Sequence, residues 1–274
     1  TLARARRLFA ILIDNPAALK IQTIHAFCQS LIQAFPVEAG IQPHFNVLED
    51  SEASEFVMQA RQNMLHTMRS STSLDNFETP LTKAFLFLAG QLNELTLMES
   101  LQQFIDLRGS FLLLREHYGS LDALIDSIYQ YHDIPRSLDI DTLLQYNWSD
   151  DQLPITELQQ LTEALSQGTD AEKKRSAFLA EWLTTSLEQR LYRYDNYIAL
   201  FFTQKGTPKK LSSVITKKTL AQAPQLETFI ADEQTRLSRL MLRFNHVFTA
   251  QSTAYLMYMG YAILEEYQTL KAQH

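Results

Sequence analysis

Two separated stretches carry side chains suited to holding phosphate. At residues 20–29, Lys-Ile-Gln-Thr-Ile-His-Ala-Phe-Cys-Gln sets a hydroxyl at Thr23 and an imidazole at His25. Just there, the β-favouring Ile21, Thr23 and Ile24 give way to Phe27, Leu31, Ile32 and Phe35 at helical spacing. This pattern predicts a strand handing over to a helix, with polar groups at the helix start, where free backbone N–H groups favour anions. The second stretch, residues 205–218, reads "KGTPKKLSSVITKK", with five lysines and no acid. Its Gly206-Thr207-Pro208 turn sets Lys205 against Lys209 and Lys210, and Lys217 and Lys218 close the run. Thr207, Ser212, Ser213, Thr216 and Thr219 add hydroxyl donors. Such a surface can grip a nucleic-acid backbone but reads no bases, because nothing in it enters a groove. The competing expectation is a solvated loop whose lysines only keep the surface charged.

Other chemistries fail on residue type or spacing. A phosphate-cradling loop needs a Gly-Lys pair at a helix start, and none of the seven glycines is followed by lysine. "FIADEQT" at 229–235 imitates a magnesium-gripping acidic box. Leu226, Phe229, Ile230, Leu237 and Leu240 around it form a helical stripe, which is expected to turn Asp232 and Glu233 toward solvent. His25 and Cys28 lie three apart, yet a zinc site needs more ligands than this one cysteine can join, and no metal is expected. Cys28 is expected as a buried thiol beside Phe27 rather than a nucleophile. No Gly-x-Ser-x-Gly elbow occurs. No catalytic residue and no cofactor is therefore assigned within the chain. Trp182, Tyr192, Tyr194, Tyr197, Phe201 and Phe202 are expected to pack the core, with Tyr192 or Tyr194 as the alternative for stacking on bases.

The elements that must position these residues are mostly helices. Seven glycines and eight prolines in 274 residues are too few for a turn-rich sheet protein, and 46% hydrophobic residues suffice for a sizeable core. The expected fold is mainly α, an irregular helical bundle with a small strand and helix remnant of an α/β domain at the N-terminus. A first helix is predicted over 2–13, with Leu8, Phe9, Leu12 and Ile13 on its apolar side, as an amphipathic helix within something longer. A second short strand is predicted at "FNVLED". Helices are predicted over 50–69, 77–89, 93–108, 110–117, 121–131, 154–166, 171–203 and 222–270, with breaks that include Gly90, Gly109, Gly119, 132–139 and 147–154. The last is expected to be the spine of the bundle or a strut leading out of it. No solenoid repeat is visible. The longest apolar runs, 84–89 and 110–114, fall well short of the roughly 20 residues that cross a bilayer. A single cysteine fits a reducing cytoplasm, and a net charge of −7 confines any nucleic-acid contact to a local patch.

Thr23-Ile24-His25-Ala26-Phe27 resembles the Thr-x-His-x-Phe motif, Ic, of UvrD/Rep-type superfamily 1 DNA helicases. The longer run "KIQTIHAFCQSLIQAFPVEAGIQPHFNVLED" is similar to the AddA family of double-strand-break-repair helicase-nuclease subunits, as is "FFTQKGTPKKLSSVITKK". The middle of the chain, about 70–170, resembles nothing nameable. The resemblance implies that 1–45 is the end of motor domain 1A and that 46–274 is its helical 1B insertion. It implies single-stranded DNA contacts for Thr23 and His25, with Phe27 anchoring the helix to its sheet. It implies a parent that binds ATP and Mg, carries a nuclease, and pairs with an AddB-like partner subunit, those sites lying elsewhere in the parent. Ala26 departs from the Ser or Gly that relatives often have. Two functions are open at this point: DNA guidance through Thr23, His25, Lys205, Lys209, Lys210, Lys217 and Lys218 at a single strand and duplex junction, or a protein-docking scaffold without DNA contact.

Overall fold

The computed structural model describes residues 4, 7–9, 11, 13, 22–40, 45, 48, 50–70 and 79–273. They are mainly α-helical. The helices are α1 (Ile24–Ala34), α2 (Asp50–Ser70), α3 (Pro80–Gln91), α4 (Glu94–Asp106), α5 (Arg108–Tyr118) and α6 (Leu121–Tyr131). They continue with α7 (Ile140–Trp148), α8 (Ile155–Ser166), α9 (Asp170–Thr184) and α10 (Leu187–Phe201). Two single turns, α11 (Leu211–Val214) and α12 (Lys217–Leu220), lead to the terminal α13 (Leu226–Gln273).

Short polar side chains set the helix starts. The oxygens of Asn93, Ser120 and Asp139 accept the backbone N–H three residues on, at 2.8, 3.0 and 2.7 Å. Each such cap contributes about 1 kcal/mol. The same logic explains two differences from the sequence expectation. Asp139 starts α7, a helix not foreseen between the two expected breaks, and α7 buries Leu143 and Trp148. The single helix expected over 171–203 is instead two, because Thr184, Thr185 and Ser186 spend their hydroxyls on nearby backbone groups and Ser186 caps α10. Gly90 and Gly109, expected as breaks, lie inside α3 and α5, whereas Gly119 does end α5 in a left-handed conformation (φ 80°).

No strand is formed among the described residues. Gln22 and Thr23 precede α1 without strand structure, and Phe45 and Leu48 belong to no strand. The remainder of both predicted strands, and most of the predicted helix over 2–13, lies outside the described residues. An extended segment becomes a strand only beside a hydrogen-bonding neighbour, and none is present for Gln22, Thr23, Phe45 or Leu48 among the described residues. The extended pairing that does occur is an isolated antiparallel bridge, Phe202 with Pro208.

α13, 48 residues and about 72 Å long at 1.5 Å per residue, is the spine. Its first half buries Leu226, Ile230, Leu237 and Val247 in a core shared with Trp148, Trp182 and Tyr197. Its second half buries Met259, Ile263, Leu264 and Tyr267 in another core, with Met64 of α2, Leu88 of α3 and Leu101 of α4. An isolated helix this apolar on several sides would not stay single in water, so both cores are conditions of its existence. No helix among the described residues is long and apolar enough to cross a membrane.

At Gly260 the spine touches Phe104, whose ring stacks on Phe111 at a centroid distance of 4.2 Å. A Cβ there would overlap the Phe104 ring. Gly→Ala in an open mid-helix position stabilises by about 1 kcal/mol, but overpacking costs about 1–3 kcal/mol. Gly260→Ala is therefore expected to lower the urea unfolding midpoint, and a midpoint that rises would contradict this packing.

Candidate nucleic-acid interface

The lysine segment forms a hairpin braced against the spine. Thr203 N–H donates to Thr207 O at 2.9 Å, and Lys209 N–H to Phe201 O at 2.8 Å. Gly206 takes φ +72°, which a residue with a side chain adopts only with strain, and its N–H closes the turn on Thr203 O at 2.9 Å. From α13, the Gln234 amide donates to Phe201 O at 3.1 Å and to Lys209 O at 2.8 Å, tying both arms to the long helix.

Beyond the hairpin, Glu172 holds the next turns in place. It is 0% exposed. It accepts from the N–H of Thr169 and of Thr216, both at 2.8 Å, and from the Thr169 hydroxyl at 2.9 Å. Burial penalises its charge, but the N–H groups of Thr216 and Thr169 and the hydroxyls of Thr169 and Thr219 outweigh that penalty and hold the carboxyl at about 2. One buried carboxylate thus caps α9 and clamps the start of α12 to it. Gly168 leaves the space this carboxylate occupies, since a Cβ there would overlap it.

On this frame Lys205, Lys210, Lys217 and Lys218 are exposed, and none of them is ion-paired among the described residues. Lys209 differs from the sequence expectation. Its ammonium turns back to donate to Ala199 O at 2.6 Å, in the last turn of α10, where the helix dipole favours a cation. Its pKa is lowered, first by burial and then by repulsion from Arg175. Arg175, which donates to Val214 O at 2.9 Å, adds an unforeseen cation to the face. The run Lys173-Lys174-Arg175 was its signal in the sequence, obscured by the stretch of about 30 residues that separates it from the loop.

The expected hydroxyl donors are partly spent. Thr216 is bonded to Glu172, Thr219 to Thr216, and Thr207 to Thr203, whereas Ser212 and Ser213 are exposed. An acid does therefore sit beside this segment in space, but it is buried beneath it and fully hydrogen-bonded.

Thr23 and His25 sit at the start of α1. Thr23 Oγ1 caps the helix by accepting Ala26 N–H at 3.2 Å, and His25 is exposed in the first turn. α1 buries none of its residues. Phe27, expected as an anchor, is 55% exposed, and Cys28, expected buried, is exposed as well. The reason is common to both: no described part of the chain covers α1. Ile24, Phe27, Leu31 and Phe35 form one uncovered apolar stripe. No hydrogen bond or ion pair joins α1 to the lysine segment among the described residues.

The acidic pair is also corrected. Asp232 is exposed as expected, but Glu233 is 2% exposed. Tyr197 donates its hydroxyl to it at 2.7 Å, and Arg236 reaches it through Nε and Nη2, both at 2.8 Å. Burial and the Glu233 charge push the Tyr197 hydroxyl well up. Position 233 falls on the apolar stripe itself, three after Ile230 and four before Leu237, and its charge enters the core because partners await it there. Among the described residues no three His, Cys, Asp or Glu side chains gather as a metal site. Trp182, Tyr197, Phe201 and Phe202 pack the core as expected, Tyr194 stacks on Trp148, and Tyr192 projects from the surface.

Compared with known proteins, the chain matches no family model, no curated protein and no solved structure.

Glu172 gives a pH signature. Its folded pKa lies below the unfolded value of 4.5, so its contribution is complete above about 4.5 and fades as pH falls toward about 2. A depression of that size amounts to on the order of 3 kcal/mol. Glu172→Gln is expected to be less stable at pH 7 and to show a smaller loss of stability between pH 5 and 2, measured by urea titration across that range. Parallel pH profiles for the two proteins would contradict it.

Proposed function

We propose that this chain is the DNA-guiding 1B region, with the end of motor domain 1A, of an ATP-dependent DNA helicase-nuclease acting in double-strand break repair and recombination. Residues 1–45 are the motor-domain portion and 46–274 the helical insertion. The observation that carries this is the lysine face: four exposed ammonium groups on a braced frame, without carboxylate partners among the described residues. In a chain of net charge −7, leaving lysines unneutralised together favours an anionic partner. Phosphates laid across the face displace counterions, which makes binding salt-dependent and independent of sequence. The uncovered stripe on α1 further supports the motor-domain portion, since a helix of such a domain packs its apolar side on a sheet.

The residues present do not suit the parent's other ligands. With no Gly-Lys loop in the sequence and no metal-ligating cluster among the described residues, ATP and Mg do not fit this segment. The parent's hydrolase and nuclease activities are carried by other parts of it, in the cytoplasm where DNA is reached.

A second function has its own support. An apolar cleft of about 490 Å³ opens between α2, α3 and α4, lined by Met68, Phe85, Leu86 and Met98, and Leu95 beside it is 70% exposed. That surface suits a docking scaffold for an AddB-like nuclease subunit. Salt dependence separates the two. Replacing Lys205, Lys210, Lys217 and Lys218 by Ala is expected to weaken DNA binding and flatten the slope of log K against log salt by about 0.7–0.9 for each phosphate no longer neutralised. An unchanged slope in the quadruple variant would leave the scaffold.

A further inference from the structure

Where the lysine face meets the first core, a crevice of about 320 Å³ opens between α10, α13 and the hairpin. Its size is at the low end for small-ligand pockets, roughly 300–1,000 Å³. The walls are apolar and partly aromatic: Tyr194, Ile198, Leu240, Met241 and Phe244. Tyr194 is fixed by stacking on Trp148, with ring centroids 6.1 Å apart and planes 26° apart. Asp195 and Asn245 are exposed and line the crevice with Gln204, and no hydrogen bond engages these three side chains among the described residues. Thr203, Gln204 and Gly206 of the hairpin form the mouth, so Lys205 stands between two lining residues.

A purely apolar ligand would leave the rim groups without use, and a free phosphate would find no apolar complement for itself inside. One ligand brings an anion for Lys205, a flat ring for the aromatic walls and hydrogen-bonding edges for the rim. We propose that the crevice takes an unpaired nucleobase of a strand whose phosphates lie on the exposed lysines. This rests on the DNA-guiding function proposed above. Asp195 is acceptor-only when ionised, so it selects donor edges and favours the exocyclic amino groups of cytosine, adenine and guanine over the lone N3–H of thymine. The hairpin lysines read no sequence, but the crevice beneath them adds a modest base preference.

Fluorescence anisotropy of the full chain with single strands of equal length tests this, using oligo(dC), oligo(dT) and a strand of abasic units. The abasic strand is expected to bind about tenfold more weakly than oligo(dC), in line with one stacked base, at an unchanged salt slope. Oligo(dT) is expected to fall between them. Asp195→Asn combined with Asn245→Ala, two exposed and unbonded positions, is expected to shrink the difference between oligo(dC) and abasic strands. Equal binding of abasic and base-bearing strands with a normal salt slope would overturn the crevice and leave the lysine face standing. Undiminished discrimination in the double variant would also overturn it. Absence of binding to every strand would overturn both proposals.

Discussion

Positive charges repel one another, and a face of unpaired lysines persists only if something beneath holds its backbone in place. Two side chains supply that hold. Gln234 bonds both arms of the hairpin from α13, and the buried Glu172 clamps α12 to α9 through two backbone N–H groups. Neither contributes an exposed charge. They fix the loops by hydrogen bonds rather than ion pairs, and the ammonium groups of Lys205, Lys210, Lys217 and Lys218 stay without ion-pair partners among the described residues. The pKa of Lys209 is lowered first by its partial burial and then by repulsion from Arg175.

Arginine and lysine have divided the work. Arg115, Arg136, Arg190, Arg193 and Arg236 each meet a carboxylate, and Arg190 does so while only 4% exposed, bonding also to the carbonyls of Trp148 and Trp182. A planar guanidinium with five donors can satisfy several carbonyls at once, which a compact ammonium cannot. These five arginines build the interior and the ion-paired flanks, whereas Arg175 stands beside Lys209. At physiological salt, charge is screened beyond about 8 Å, so distant acids do little to cancel the lysine charge, and Asp195, lining the crevice beside the hairpin, is a near one.

The helical architecture was legible because its signals are local. Sparse glycine, apolar residues at a 3.6 period and N-capping residues are properties of about a dozen neighbouring positions. α7 was missed because its nine residues fall between two polar, turn-rich stretches, and burial of Trp148 decides the matter only in three dimensions. The division of α9 from α10 turns on the neighbouring hydroxyls of Thr184, Thr185 and Ser186 in an otherwise helical run. The lysine loop was legible as charge. Its stabilisers were not: Glu172 and Arg175 come from a helix more than 30 residues earlier. Glu233 shows the opposite failure, since the spacing already assigned it to the buried stripe and the charge argued it away. On α1, Phe27 and Cys28 were expected to be covered because an apolar stripe implies a partner, and no described residue covers them.

The central claim is that the lysines, not the helices at large, meet the phosphates. Protection of lysine ammonium groups from acetylation by saturating DNA, read residue by residue by mass spectrometry, tests it most directly. Lys205, Lys210, Lys217 and Lys218 should be shielded when DNA is present, while the exposed Lys83 and Lys271, on helices of the other core, should react as before. Equal reactivity of all six lysines with and without DNA would contradict the account.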